Sequence, residues 1–263
     1  MRIAAAGQWT NNWAGMLASK LARHWIVVAC CVTLFSLVAL PGNHAYAVAR
    51  DAEVIRGFNL TVFGAEYAPF GFQSRYIRKF RKPVRFYIHN MSRKNRTKAA
   101  RRFILSLNRI IKGLKTRIVS SPAKANFNIY VVDRKDYVNI VRTKIYRQPN
   151  ATAPGKCLVR SVFSRKGIKR SDAAIVSDGG EALFKRCLIE EILQGLGPLN
   201  EDKSLWRSVF NDASKQISFT RFDRLILNML YDPRIKNGTS LKKVQEILPE
   251  VLRSAKKQVR KYR

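Results

Sequence analysis

The chain has 263 residues, of which 50 are Lys or Arg and 17 are Asp or Glu, so its formal net charge is +33 at pH 7. A hydrophobic fraction of 46% with 10% aromatic residues excludes a disordered basic tail and is enough to build a core. A charge of this size concerns partners and solubility rather than fold, and it makes nucleic acid the first partner to consider.

The N-terminal segment predicts export from the cytoplasm. An uncharged apolar run at residues 26–40 follows two basic residues, and Pro41 and a small-x-small site at 45–47 come after it. These are the parts of a secretory signal peptide, so residues 1–47 are predicted to be a leader that is cleaved after Ala47. The apolar run would reach only about 22 Å as a helix, which is short of a ~30 Å hydrocarbon core. An N-terminal membrane anchor that is not cleaved is the alternative.

Export would place the rest of the chain in the periplasm or outside the cell. Removal of residues 1–47 leaves 47 basic and 17 acidic residues, a net charge of +30. Chromosomal DNA is absent from that compartment, so no nucleic-acid partner is expected. Anionic envelope polymers and membrane surfaces are the partners that a basic exported protein meets there. The sequence does not indicate an oligomeric state.

The predicted mature region contains two cysteines, Cys157 and Cys187. In an oxidising compartment, an isolated pair of this kind is more typical of a disulfide than of two free thiols. A catalytic thiolate would need a basic partner nearby, and the sequence singles none out.

The remaining pattern predicts one α+β domain at residues 48–263, with a basic C-terminal helix. No repeat and no linker divides it. In chain order, the predicted elements are a short strand at 60–63, a strand at 84–89, a helix at 97–115, a strand at 126–132, a short helix at 135–146, strands at 156–163 and 173–177, a helix at 181–196, a helix capped by Ser218 or Thr220 with Asp223, and a basic amphipathic helix at 240–260.

The helix at 97–115 carries a basic stripe opposite its apolar face. No acidic residue occurs between Glu66 and Asp133, whereas Lys and Arg occur seventeen times there. The stripe is either an anion-binding surface or a solvated helix face. A solvated face is the default for a run of charges, and the absence of acidic partners at i±4 makes binding an equal alternative. Its members are Lys98, Arg101, Arg102, Arg109 and Lys112.

The helix at 181–196 carries the candidate site. Two carboxylates and an amide project from a partly apolar face, within an arc of about 100° on a helical wheel. Lys185 and Arg186 are predicted to point away from it. The candidate residues are Cys187, Glu190, Glu191 and Gln194.

This spacing resembles the HExxHxxG helix of zincin metallopeptidases. Glu190 and Gln194 stand where the two histidines would be, Glu191 matches the general base, and Gly197 matches the glycine. Asn200 stands where metzincins place their third ligand. The resemblance implies a zincin-like mixed sheet with packed helices, in which an edge strand before the active helix aligns substrate.

The ligand positions depart from the zincin pattern. Catalytic zinc needs three nitrogen, sulfur or carboxylate ligands and a water, and neutral amides are poor ligands. Without the metal, nothing lowers the pKa of a water towards ~7, so no zinc and no other cofactor is expected. His89 is the one histidine after the leader, which leaves little room for a Ser-His-Asp or Cys-His site.

Two other interpretations of the same helix stay open. The two glutamates and Gln194 can form a structural polar network with arginine partners, since cations are abundant in this chain. Alternatively, a hard cation such as Ca²⁺ could use oxygen ligands from Glu190, Gln194, Asn200 and Asp202.

Longer segments resemble an exported bacterial family, domain of unknown function 2927. They are CLIEEILQGLGPLNED at 187–202, SVFND at 208–212 and FTRFDRLILNMLYDPRIKNG at 219–238, with weaker segments at 62–67, 77–86 and 125–133. The resemblance covers about residues 58–240. It implies an envelope location, a zincin-like fold and no assigned activity. Pro198 and the Glu201-Asp202 pair depart from the commoner residues of the family.

Three functional hypotheses follow. The first is an exported zincin-like domain that lacks the zinc ligands, does not cleave peptides, and binds peptide or envelope polymer. The second is an electrostatic binder of anionic envelope polymers or a membrane surface through the basic face and the tail at 253–263. The third is a hydrolase that uses Glu191. The first hypothesis, which is not enzymatic, is favoured.

Overall fold

A computed structural model describes residues 42–64 and 75–262 of the chain. Residues Ala49–Arg263 form one compact unit, and the backbone of the segment before it is described only from Gly42 onwards. The apolar run of the predicted leader lies outside the described residues. Among the helices that are described, none combines the length and the apolar character needed to cross a membrane.

The predicted α+β class is confirmed, because helices pack on a five-stranded mixed sheet. The sheet has the order β2-β1-β3-β5-β4. Pairing is parallel from β2 through β1 and β3 to β5, whereas β4 is antiparallel to β5 and lies at the edge. The strands are β1 (Val84–Asn90), β2 (Thr116–Ile118), β3 (Phe127–Val132), β4 (Cys157–Ser164) and β5 (Gly167–Val176).

Seven α-helices occur in the described part of the chain. They are α1 (Gly42–Val62), α2 (Thr97–Ile110), α3 (Arg134–Ile140, continued by a π-helical segment at Val141–Tyr146), α4 (Glu181–Gly195), α5 (Arg221–Leu230), α6 (Leu241–Gln245) and α7 (Leu248–Arg260). The predicted start of α5 is confirmed: Thr220 and Asp223 form a capping box.

The strand predicted at 60–63 is wrong, because this segment ends α1 and the turn after it. The helix buries Val54, Phe58 and Val62, which are four residues apart and therefore share one face. Thr61 donates a hydrogen bond from Oγ1 to the carbonyl of Gly57, 2.9 Å away, as a β-branched hydroxyl residue does inside a helix.

Two predicted helices have different bounds. The helix predicted at 97–115 ends at Ile110, since Ile111 is extended and Gly113 has φ +89°. A Cβ at Gly113 would lie 2.6 Å from the carbonyl oxygen of Tyr231, so glycine permits both the turn and the contact. The helix predicted at 240–260 is two helices, α6 and α7.

The position of the site follows from the packing of α4 on the sheet. Phe184 and Ile192 of α4 share the main core with Phe127 and Ile175 of the sheet. Near the end of the helix, a Cβ at Gly195 would lie 2.4 Å from Cζ of Phe127, so glycine allows a close approach. The polar residues of α4 therefore lie beside the sheet, next to the edge strand.

Candidate functional site

A cavity of about 280 Å³ lies between the beginning of β4 and α4. Residues 155–159, the last three of which begin β4, form one wall, and α4 forms the other. Two acidic residues from the segment after α4, Glu201 and Asp212, complete it. The residues of α4 that line the cavity are Leu183, Arg186, Cys187, Glu190, Glu191 and Gln194.

The two walls are covalently joined, since the predicted disulfide is present between Cys157 and Cys187. Their Cα atoms are 5.8 Å apart. Cys157 is the first residue of β4, and Cys187 is fully buried in the middle of α4. The disulfide therefore holds the strand wall of the cavity at a set position along the helix.

Carboxyl groups from three parts of the chain converge in the cavity. The oxygens of Glu190, Glu201 and Asp212 include a set that lies within 4.8 Å of one another. Nε2 of Gln194 donates to Oε1 of Glu201 at 2.6 Å, and the backbone N–H of Asp212 donates to the other oxygen at 3.2 Å. These bonds orient Glu201 towards the helix wall.

Glu190 is the most deeply buried of these acids. It is 3% exposed. Burial raises the pKa of Glu190 to about 9, with further contributions from the negative charges of Glu201 and Asp212, while the charge of Arg186 opposes the rise. Burial therefore favours the protonated form of Glu190, which can donate as well as accept a hydrogen bond.

The predicted orientation of Arg186 is wrong, because this side chain turns into the cavity. Its Nη2 donates to Oε1 of Glu190 at 2.9 Å and lies 3.7 Å from Asp212. The same Nη2 donates to the backbone carbonyl of Asn211 at 3.0 Å, and Nη1 donates to that of Ser214 at 2.9 Å. Arg186 thus connects α4 to the segment after it.

The structure brings the predicted residues Glu190, Glu191 and Gln194 together in the cavity, and all three are buried. Their catalytic role stays a prediction. The members that the sequence did not indicate are Glu201 and Asp212. Both fall within segments singled out above for family resemblance, but no periodicity marked them as partners of α4.

The four residues considered as Ca²⁺ ligands do not all converge in the cavity, because Asn200 and Asp202 lie elsewhere. Nδ2 of Asn200 donates to the carbonyls of Leu60, at 2.9 Å, and Glu201, at 3.0 Å. Asp202 accepts the backbone N–H of Ser204 at 2.9 Å. Neither Asn200 nor Asp202 lines the cavity. The acidic residues that line it from the segment after α4 are Glu201 and Asp212.

A family model described as "Protein of unknown function (DUF2927)" matches residues 51–250. The chain belongs to the DUF2927 family. The match contains both walls of the cavity and its acidic residues. A search of curated proteins finds no match to the chain. The function of this DUF2927 protein therefore has to be argued from its own side chains.

The zinc ion that the zincin resemblance implies does not fit the donor set of the DUF2927 cavity. Glu190, in a histidine position, is buried and bound to Arg186. Gln194, in the other, directs its amide nitrogen at Glu201. A divalent ion here would also face the guanidinium of Arg186. We derive no step through a metal.

His89 is half-buried on β1 of the DUF2927 fold and is not among the residues that line the cavity. Its Nε2 lies 3.2 Å from Oδ1 of Asn128, and its ring stacks on Tyr130 with centroids 4.2 Å apart. Burial lowers the pKa of His89. Packing between strands accounts for this residue.

The basic stripe of α2 lies on the surface of the DUF2927 protein, and its role in anion binding stays a prediction. All five predicted members are exposed. Lys98, Arg101, Arg102 and Arg109 lie on α2, whereas Lys112 lies in the turn after the helix, which ends at Ile110. Among the ion pairs found in the described residues, none includes a member of the stripe.

Proposed function

We propose that this DUF2927 protein is exported to the cell envelope, where it binds an extended peptide in the cavity between β4 and α4 without cleaving it. The peptide would place a cationic group, a Lys or Arg side chain, among the acidic residues. The observation that carries the proposal is an acidic cavity beside a sheet edge in a strongly basic protein.

The edge strand supplies the backbone recognition. β4 is the last strand in the order of the sheet, so one of its two sides has no strand partner in the described structure. An extended peptide can add to such an edge through backbone hydrogen bonds, while its side chains enter adjacent pockets. Residues 155–159 of this edge line the cavity, so a side chain of an added peptide would reach it.

The charge of the cavity supplies the side-chain recognition. It is lined by four carboxyl groups, at Glu190, Glu191, Glu201 and Asp212, against two cations, at Lys156 and Arg186. Asp212 has a side chain that is 76% exposed and can meet an incoming charge. A cationic side chain can bind there through charge-assisted hydrogen bonds, whereas an acidic one would be repelled.

The zincin resemblance is consistent with this function. An antiparallel edge strand precedes the helix that carries Glu190, Glu191 and Gln194, and the cavity lies between the two. In zincins, the edge strand at that place aligns a peptide. A DUF2927 protein with this arrangement and no fitting zinc ligands retains peptide alignment and lacks the activated water. The disulfide is in keeping with an oxidising compartment.

The test is a set of labelled seven-residue peptides that differ at the central position, measured by fluorescence anisotropy. We expect the Lys peptide to bind at least about tenfold more tightly than the Glu peptide, since one charge-assisted contact is replaced by a repulsion. The double variant Glu201→Gln/Asp212→Asn should remove the preference. The matched control, Asp136→Asn/Glu246→Gln, loses the same two charges outside the cavity and should keep it.

Equal affinity for the Lys and Glu peptides would contradict the proposal. Mass spectrometry of the same peptides after long incubation with stoichiometric zinc should find them intact. A cleavage product that disappears in Glu191→Gln would favour the hydrolase instead.

A second candidate function is binding of anionic envelope polymers or a membrane surface through α2. The observation that favours it is the stripe of five exposed cations without ion-pair partners in the described structure. Charge reversal at Lys98, Arg101 and Arg102 should abolish sedimentation with anionic vesicles if this candidate is correct.

A further inference from the structure

A second cavity, of about 490 Å³, lies beyond the C-terminal end of α2. It is bounded by the turn after α2, the turn after α5 and the outer part of α7. Its volume falls in the range of small-molecule sites, about 300–1,000 Å³. Four of the residues that line it are cations, namely Lys112, Arg234, Lys257 and Lys261. Among the described lining residues, Asp232 is the one carboxylate.

Arg234 neutralises the acidic groups at this place. Its Nε and Nη2 donate to the two oxygens of Asp232 at 2.8 and 2.7 Å, and its Nη1 donates to Glu250. The same guanidinium reaches Oγ of Ser254 on α7 at 2.7 Å. The carboxylates near the cavity are thus paired, and no ion pair found in residues 75–262 includes Lys112, Lys257 or Lys261.

Side chains of α5 hold the walls of the cavity in place. Asn228, 4% exposed, accepts the backbone N–H of Lys112 at 2.9 Å and donates to the carbonyl of Ile110 at 3.0 Å. At the other wall, Nη1 of Arg224 donates to the carbonyl of Tyr262 at 3.0 Å. The three lysines are therefore carried by backbone segments whose positions are set before any ligand arrives.

The cavity adjoins the basic stripe, since Lys112 is a member of both. The guanidinium of Arg109 lies 6.0 Å from the ring centroid of Tyr262, so the end of α2 and the end of α7 meet. The basic stripe and the basic tail, which the sequence presents as separate features, are parts of one surface with a concave end.

We propose that this cavity binds a phosphate-bearing ligand. Three lysines that line one concave site suit a compact polyanion, for which lysine acts as a point charge. This inference rests on the second candidate function and assigns it a specific binding site. The phosphate can belong to a free phosphoanion or to the headgroup of an anionic phospholipid, and the experiment distinguishes the two.

The test compares three variants of the full chain by titration calorimetry with inorganic pyrophosphate at low salt. The cavity variant, Lys112→Gln/Lys257→Gln/Lys261→Gln, should bind at least about tenfold more weakly than the wild type. The matched control, Lys135→Gln/Lys166→Gln/Lys185→Gln, loses the same charge at exposed positions elsewhere and should bind like the wild type. The stripe variant, Lys98→Glu/Arg101→Glu/Arg102→Glu, should also retain pyrophosphate.

Binding of the cavity variant to vesicles of phosphatidylglycerol and phosphatidylcholine distinguishes the two sources of the phosphate. Loss of vesicle binding in the cavity variant identifies a lipid headgroup, and its retention identifies a free phosphoanion. The stripe variant distinguishes membrane binding by α2 from phosphate binding by the cavity. If this variant loses vesicle binding but still binds pyrophosphate, each of the two proposals is supported independently of the other.

Two results would overturn the inference. One is equal weakening of pyrophosphate binding in the cavity variant and the control, which would indicate net charge alone. The other is unchanged binding together with a lower thermal midpoint in the cavity variant. In that case the lysines would serve only to offset the carbonyl ends of α2 and α7.

Discussion

At the scale of the residue, Glu190 shows why the cavity is unusual. Its carboxyl group is almost fully buried and faces Arg186 together with two further acids, Glu201 and Asp212. Burial of a charge without full compensation is costly, so the group keeps a proton instead. One guanidinium is not enough to hold the cluster fully ionised, and a ligand that brings positive charge would complete it.

The first prediction concerns pH. The pKa of Glu190 is raised from 4.5 to about 9, so between these values the folded state holds a proton that the unfolded chain releases. The contribution of Glu190 to the free energy of unfolding is therefore fully present below pH 4.5 and is lost as pH rises through about 9. The slope is at most about 1.4 kcal/mol per pH unit.

The variant Glu190→Gln isolates this effect, because the amide keeps the shape of the neutral acid. We expect it to match the wild type in urea denaturation near pH 4.5 and to be more stable at pH 8. Glu246→Gln, at an exposed position, is the control. Parallel curves of stability against pH for wild type and Glu190→Gln would show that Glu190 does not hold the proton.

Residue-level prediction succeeded for side chains set by helical geometry. Glu190, Glu191 and Gln194 share a face because of their spacing alone. It failed for Arg186, which lies four residues before Glu190 and therefore projects from the same face of the helix, where the two side chains pair. It also missed Glu201, which is brought to α4 by a turn that has no periodic signal.

At the scale of the element, regular patterns predicted most of the sheet and α4, but two elements escaped. β2 has only three residues, too few to show alternation. The end of α1 is rich in β-branched and aromatic residues and was assigned to a strand. Burial of Val54, Phe58 and Val62 against the core overrides that local preference.

The second prediction concerns the disulfide that joins β4 to α4. Its cysteines are 30 residues apart, and the chain-entropy model gives a stabilisation of roughly 3–4 kcal/mol for such a loop. The double variant Cys157→Ala/Cys187→Ala should lower the midpoint of thermal unfolding by on the order of 10 °C. The wild type in reductant serves as the control and should show a similar decrease. A fall of less than about 2 °C would mean that the bond adds little beyond the packing of the two walls.

At the scale of the whole molecule, the distribution of charge is more informative than its sum. A protein with a net charge of +33 places four carboxyl groups in one cavity and four cations in another. Two sites of opposite sign suit ligands of opposite sign. The sequence indicated the basic surface through an acid-free stretch, whereas the acidic cavity became visible only when three distant segments were brought together.

The third prediction concerns the leader. Cleavage after Ala47 would remove the apolar run and leave Val48 as the first residue. N-terminal sequencing of protein recovered from the envelope fraction should begin at Val48. Protein that begins at Met1 and is extracted only by detergent would support the membrane anchor instead.

The most direct test of peptide binding at the sheet edge is amide hydrogen exchange with and without the Lys-centred peptide. If the peptide adds to the sheet, backbone amides of β4 and of residues 155–156 should become protected, because a new strand accepts their hydrogen bonds. The basic surface of α2 and α7 should exchange at an unchanged rate. Protection confined to α2 and α7, with β4 unaffected by a saturating amount of bound peptide, would contradict the account.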